Sequence, residues 1–93
     1  MIRSFKDPEA ERLFNRQRSA RLPPSIQQVA LRKLRMLNNA SVIADLRVPP
    51  ANRLEKLKGD RAGRYSIRIN DQWRICFVWK EGDAFNVEIT DYH

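Results

Sequence analysis

The chain closes on Asp91-Tyr92-His93, a carboxylate, a phenol and an imidazole in consecutive positions, directly after a run from Val87 to Ile89 that reads as a strand. Termini usually fray and tolerate any residue, so one loaded with groups that donate or accept protons is a candidate for acid–base work. The plain alternative is that Asp91 caps the sheet while Tyr92 and His93 lie on the surface. A second concentration of charge is Glu55-Lys56-Leu57-Lys58-Gly59-Asp60-Arg61. Alternation along an extended chain puts Lys56 and Lys58 on one side of it. Arg64, Arg68 and Arg74 add cations from the strands that follow. Such a set offers carboxylates to take a proton, an imidazole to give one, and fixed cations to hold a developing negative charge.

Other chemistries are poorly served. The chain has one cysteine and one histidine, so no metal-ligand spacing can be written for it. Gly59 and Gly63 are not followed by the Lys-Ser/Thr pair of a phosphate-binding loop. A nucleophile triad needs a histidine held by further partners, and here the histidine is the final residue. Acid–base chemistry without metal or cofactor is what remains. Each residue also has an ordinary reading. Lys58 could be a solvated strand lysine, Arg68 and Arg74 could pair with Glu88, and Tyr65, Trp73, Phe77 and Trp79 are expected in the core.

Eighteen Lys and Arg against eleven Asp and Glu give a net charge of +7 on 93 residues, which implies an anionic partner. Arginine outnumbers lysine, and its planar fork suits phosphate and base stacking, so nucleic acid is favoured over an acidic protein. Cys76 has no partner for a disulfide and reads as a sheet thiol. No apolar run approaches the roughly twenty residues that span a bilayer, and Met1-Ile2-Arg3-Ser4-Phe5-Lys6 has no signal-like core, so the expected location is the cytoplasm, with no membrane partner.

The elements that must position these groups follow from period and punctuation. Met1 to Phe5 suits an opening strand. Asp7-Pro8-Glu9 has the chemistry of a helix start, and Ala10, Leu13 and Phe14 form its inward stripe. Arg16, Arg18 and Arg21 lie between this brief helix and a second one. Ser25 with Gln28 makes a capping-box pattern there, and Ile26, Val29, Ala30, Leu34 and Leu37 give the stripe. Ser41 is a candidate cap for one more turn through Leu46, and Arg47-Val48-Pro49-Pro50 is a rigid connector. Beyond Pro50 the period becomes alternating. Leu54 to Leu57, Arg64 to Ile69, Trp73 to Lys80 and Ala84 to Ile89 are expected strands, the last three joined as an antiparallel meander. Arg64 and Arg68 should share the face opposite Tyr65, Ile67 and Ile69. The expectation is a single α+β domain over residues 1–93, its N-terminal helices packed on one face of a small antiparallel sheet and the other face left available.

Leu54-Glu55-Lys56-Leu57-Lys58-Gly59-Asp60-Arg61-Ala62-Gly63, Tyr65-Ser66-Ile67-Arg68, Asn70-Asp71-Gln72-Trp73-Arg74-Ile75 and the closing Asp91-Tyr92-His93 resemble the HigB branch of the RelE toxin superfamily, over essentially the full length. The resemblance implies a compact RelE-like α+β fold and ribosome-dependent endoribonuclease action on translated mRNA in the decoding site. It also implies neutralisation by a HigA-like helix-turn-helix antitoxin, with operator DNA met only through that complex. It carries basic active-site character to Lys58, catalytic roles to Asp91, Tyr92 and His93, and phosphate binding to Arg74. Glu55 departs from members that place a histidine in this part of the segment.

On this reading the RNA supplies its own 2′-hydroxyl as nucleophile. Asp91 or Glu55 assists its deprotonation, Lys58 with Arg74 or Arg68 holds the phosphorane charge, and His93 protonates the departing 5′-oxygen. Tyr92 stacks on or orients the neighbouring base, while Lys56, Arg61 and Arg64 extend the RNA-binding surface. Two rivals keep the same cationic scaffold: a non-catalytic, ParE-like inhibitor, and a nucleic-acid-binding regulator without cleavage.

Overall fold

A proline-punctuated N-terminal half supplies two helices and an alternating C-terminal half supplies the sheet beneath them. The computed structural model describes residues 1–57 and 63–91. Helix α1 spans Pro8–Phe14 and starts as its sequence dictates: extended Asp7 accepts from the Glu9 N–H at 2.9 Å through Oδ1, and Pro8 fills the first turn where no N–H is needed. The other oxygen of Asp7 accepts from the Ile89 N–H at 3.3 Å, so one carboxylate both caps the helix and fastens it to the last strand.

Helix α2, Pro24–Asn39, begins differently from the capping box expected at Ser25 and Gln28. Pro23 occupies the cap position without a side-chain bond and Ser25 already lies inside the helix. Proline at the first helical position removes one of the orphan donors a cap would serve. Gln27 ties the helix start down instead, its Nε2 donating to the Ser19 and Leu22 carbonyls at 2.8 Å each. The further turn expected from Ser41 is a 3₁₀ turn at Ile43–Arg47. Its cap is Asp45, whose Oδ2 accepts from the Ser41 and Val42 N–H groups at 2.9 and 3.2 Å. A cis Val48–Pro49 peptide and a second 3₁₀ turn, Pro50–Asn52, lead to Arg53 in the left-handed region, φ 43°.

Strands β1 (Glu55–Lys56), β2 (Arg64–Arg68), β3 (Trp73–Lys80) and β4 (Asp83–Asp91) form one antiparallel sheet in chain order. The opening segment is held by isolated parallel bridges to β4, at Ile2 with Ala84 and Phe5 with Val87, and is not a full strand. Its ladder is interrupted at Asn86, φ 53°, whose N–H is taken by the Ser4 Oγ at 2.8 Å in place of a backbone carbonyl. The Met1 amine and the Arg3 Nε each lie 3.2 Å from Asp83 and close this edge. Partial burial raises the Asp83 pKa, but those two cations outweigh it and leave the carboxyl below the ordinary range.

The core lies between helices and sheet: Leu13, Ile26, Ala30, Leu34 and Leu37 from above meet Ile67, Ile75, Phe77 and Val87 from below, all buried. Tyr65, Trp73 and Trp79 pack against that cluster, and Phe77 is stacked on Tyr65 and edge-on to Trp79 at centroid distances of 6.2 and 6.4 Å. The aromatics are thus structural, as expected. Cys76 is a buried free thiol on the opposite side of β3. No helix among the described residues is long and apolar enough to cross a membrane.

Candidate functional site

The register decides which side chains meet. Tyr65, Ile67, Ile75 and Phe77 point into the core, so by the two-residue period Arg64, Ser66, Arg68, Arg74 and Cys76 share the uncovered face. Glu55 is in register with Ser66, and Arg68 lies directly opposite Arg74, which lies opposite Thr90. The same rule puts two sequence-predicted residues on the other side: Lys56 is in register with Tyr65 and Asp91 with Trp73.

Arg74 is the anchored member. It is 7 % exposed, and its Nε donates to the Ser66 Oγ at 2.8 Å. Its Nη2 donates to the Arg53 carbonyl at 2.6 Å and to the Ser66 carbonyl at 3.3 Å. Nη1 lies 3.9 Å from Oε1 of Glu55, whose side chain is 55 % exposed. A guanidinium gripped on two edges cannot rotate, and the loose, exposed carboxylate beside it is free to turn toward a ligand. This pairing differs from the expectation that Arg74 pairs with Glu88, because Glu55 reaches its register position next to Ser66.

The same expectation for Arg68 is also replaced, since Arg68 bonds Asp71 in the β2–β3 turn. Glu88 is instead the partner of Arg64, at 3.2 Å, with Lys6 Nζ at 3.6 Å. Arg64 is thereby largely neutralised at the far end of the strand, although its Nε is buried without a hydrogen-bond partner among the described residues. Asp91 is exposed and accepts from the Gln72 Nε2 at 3.1 Å. Lys58, Arg61, Tyr92 and His93 lie outside the described residues. Their segments join the described chain at Leu57, bonded to the Arg64 carbonyl, and at Asp91, beside Trp73. These are opposite ends of β2 and β3, with Glu55 and Arg74 between them.

Sequence reasoning missed the groups that hold Arg74. Ser66 could have been found as a small polar residue at an outward position between two arginines of one strand. The Arg53 carbonyl carries no sequence signal. Lys33 was legible as a cation on the apolar stripe of α2, four residues after Val29 and four before Leu37. It is buried and donates to Asn52 Oδ1. Burial first, then the charges of Arg32 and Arg68, push its pKa below the ordinary lysine value. Away from the sheet, a groove of about 420 Å³ between the helices is rimmed by Arg16, Arg18 and Arg35 over Leu13 and Leu31, and it contains none of the residues singled out for chemistry.

Residues 3–93 match the family model described as a HigB-like toxin, a RelE-like toxin of type II toxin-antitoxin systems. The chain belongs to this HigB-like family. It is 42 % identical over 93 residues to Toxin HigB-1 of Vibrio cholerae, with 99 % of this chain and 98 % of that protein covered. It is 33 % identical to Endoribonuclease HigB of Proteus vulgaris, with both chains fully covered. A protein of Haemophilus influenzae without an assigned role is 37 % identical over 73 residues. This HigB-like chain is therefore a toxin of a type II system, and a toxin of that kind has an antitoxin as its partner. The two helices on a four-stranded antiparallel sheet agree with the RelE-like fold that the sequence resemblance implied.

Proposed function

We propose that residues 1–93 form one toxin domain that acts as a ribosome-dependent endoribonuclease in the cytoplasm, cutting translated mRNA through its own side chains without a metal. The observation that carries this reading is the Arg68–Arg74 pair, two cations placed directly opposite each other across β2 and β3 on the face the helices leave uncovered. Arg68 bonds Asp71 and Arg74 lies beside Glu55, so the two guanidiniums form a fixed cationic patch edged by carboxylates, and an anion that accepts from both is the ligand it fits. A scissile phosphate is such an anion. The full-length match to a protein named as an endoribonuclease supports RNA as its source.

Within this site Arg74, held by Ser66 and Arg53, stabilises the charge that builds on the phosphate, with Arg68 beside it. Glu55, adjacent to Arg74 and exposed, takes the proton of the 2′-hydroxyl. Lys58 adds positive charge, His93 donates the proton to the departing 5′-oxygen, and Tyr92 stacks on the neighbouring base. Asp91, the alternative to Glu55 for the 2′-hydroxyl proton, is on the other side of β4 and accepts from Gln72. The products are a 2′,3′-cyclic or 3′-phosphate and a 5′-hydroxyl. The antitoxin is of the HigA helix-turn-helix kind, and it brings the pair to operator DNA.

Mapping mRNA 5′ ends after brief induction tests the proposal, using the wild type, Arg74→Ala, Lys58→Ala and a His93 deletion. Each is run on a translated transcript and on the same transcript without its start codon. Cuts are expected only in the translated message and are strongly reduced in all three variants. Intact message on ribosomes exposed to the wild type, or recovery of 5′-phosphate ends, would overturn it.

A further inference from the structure

The grip on Arg74 comes from a segment that is itself anchored from the far side of the sheet. Asn52 is fully buried, its Nδ2 donates to the Leu46 and Val48 carbonyls at 3.2 and 3.4 Å, and its Oδ1 accepts from the Lys33 Nζ of α2. The next residue, Arg53, has left-handed backbone angles, φ 43° and ψ 57°, and its N–H bonds the Pro50 carbonyl at 3.0 Å. That conformation delivers the Arg53 carbonyl to Arg74 Nη2 at 2.6 Å. A non-glycine residue adopts it at an energetic cost, so the surroundings must impose it.

A buried lysine is equally costly, since its charge loses water and, among the described residues, is hydrogen-bonded to a neutral amide. An apolar side chain would continue the stripe of Ile26, Ala30, Leu34 and Leu37 at less expense. Local cost of this kind accumulates where geometry serves a site.

We infer that Lys33 and Asn52 are positioning residues for the nuclease reaction: they fix the 52–53 corner so that the Arg53 carbonyl holds Arg74 in the orientation that meets the phosphate. The assignment rests on the reading of Arg74 given above. Lys33 never touches the substrate. Its effect passes along a short path, ammonium to Asn52 amide, one peptide unit to the Arg53 carbonyl, and thence to the guanidinium. Arg68 lies opposite Arg74 on the neighbouring strand, so the orientation of Arg74 also sets its place relative to the second cation of the pair.

A double-mutant cycle on the full chain separates this role from a general loss of fold. Single-turnover cleavage of ribosome-bound message is measured for the wild type, Lys33→Met, Arg74→Ala and the double variant, with urea denaturation of each. Lys33→Met is expected to lower the rate about tenfold with substrate affinity little changed, and to add less than about twofold once Arg74 is alanine. Lys33→Gln, which keeps a donor on a shorter arm, should fold if the methionine variant does not, and should show a smaller loss with the same dependence on Arg74. In the nitrogen-15 spectrum of the wild type, the Arg74 Nη protons should show the slow rotation of a bonded guanidinium, and this signature should disappear in the Lys33 variants. An equal loss with and without Arg74, or no loss in either Lys33 variant, would overturn the assignment. If Arg74→Ala itself cleaves normally, the reading of the site fails first, and the two failures are thereby told apart.

Discussion

At the scale of single residues, the site depends on geometry that charge alone does not supply. Arg74 is fastened by a hydroxyl and two carbonyls arranged around a planar fork, and lysine cannot reproduce that arrangement. Arg74→Lys should therefore lower the cleavage rate about 10- to 100-fold despite conserving charge, as read by single-turnover assay. Arg64→Gln, by contrast, should cost less than about fivefold in the same assay, because the Arg64 cation is already matched by Glu88. Alternation alone put Arg64 and Arg68 on one face, and the structure agrees. It could not say which face Lys56 or Asp91 would take. That follows from the register of β1 on β2 and of β4 on β3, which are set by turn lengths and by the shift between Cys76 and Val78. The partners of Arg74 were hidden for a related reason: one is a backbone carbonyl, and every residue has one.

At the scale of elements, punctuation was the better guide. Asp7-Pro8 announced α1 correctly, and the second bond of Asp7, to Ile89, is a tertiary addition no local pattern contains. Asp7→Ala should cost about 1 to 2 kcal/mol in urea denaturation, more than a cap of a free helix, because both bonds go together. Ser25-Gln28 misled, since a proline pair starts α2 without needing a side-chain cap. Lys33 gives α2 a pH signature. Its pKa is lowered on folding, so between that lowered value and its ordinary value near 10.5 the unfolded chain binds more protons than the folded one. Stability contributed at this position must therefore rise as pH increases through that window. The stability of the wild type relative to Lys33→Met should grow as pH rises toward 10.5, measured by urea denaturation of both at each pH. A flat difference would show that the lysine folds with its ordinary affinity for protons.

At the scale of the whole molecule, helices on one side and arginines on the other were legible together, because a change of period at Pro50 separates the two layers in the sequence. What composition added was the sign of the field. A net charge of +7 on this chain makes association with RNA a matter of displaced counterions as well as contacts. Affinity for ribosome-bound message should fall at least about tenfold between 50 and 200 mM salt, as measured by fluorescence anisotropy.

The opposed guanidiniums of β2 and β3 have a consequence for the protein at rest. Each already has a carboxylate beside it, Asp71 for Arg68 and Glu55 for Arg74, and an oxyanion that settles over both adds a bridge between the two strands. Sulfate or phosphate at millimolar levels should accordingly raise the melting temperature where chloride of equal ionic strength does not, and replacing Arg68 with a neutral residue should abolish the difference. The toxin would then be at its firmest when occupied, so that seizing a message and consolidating its own sheet are one event.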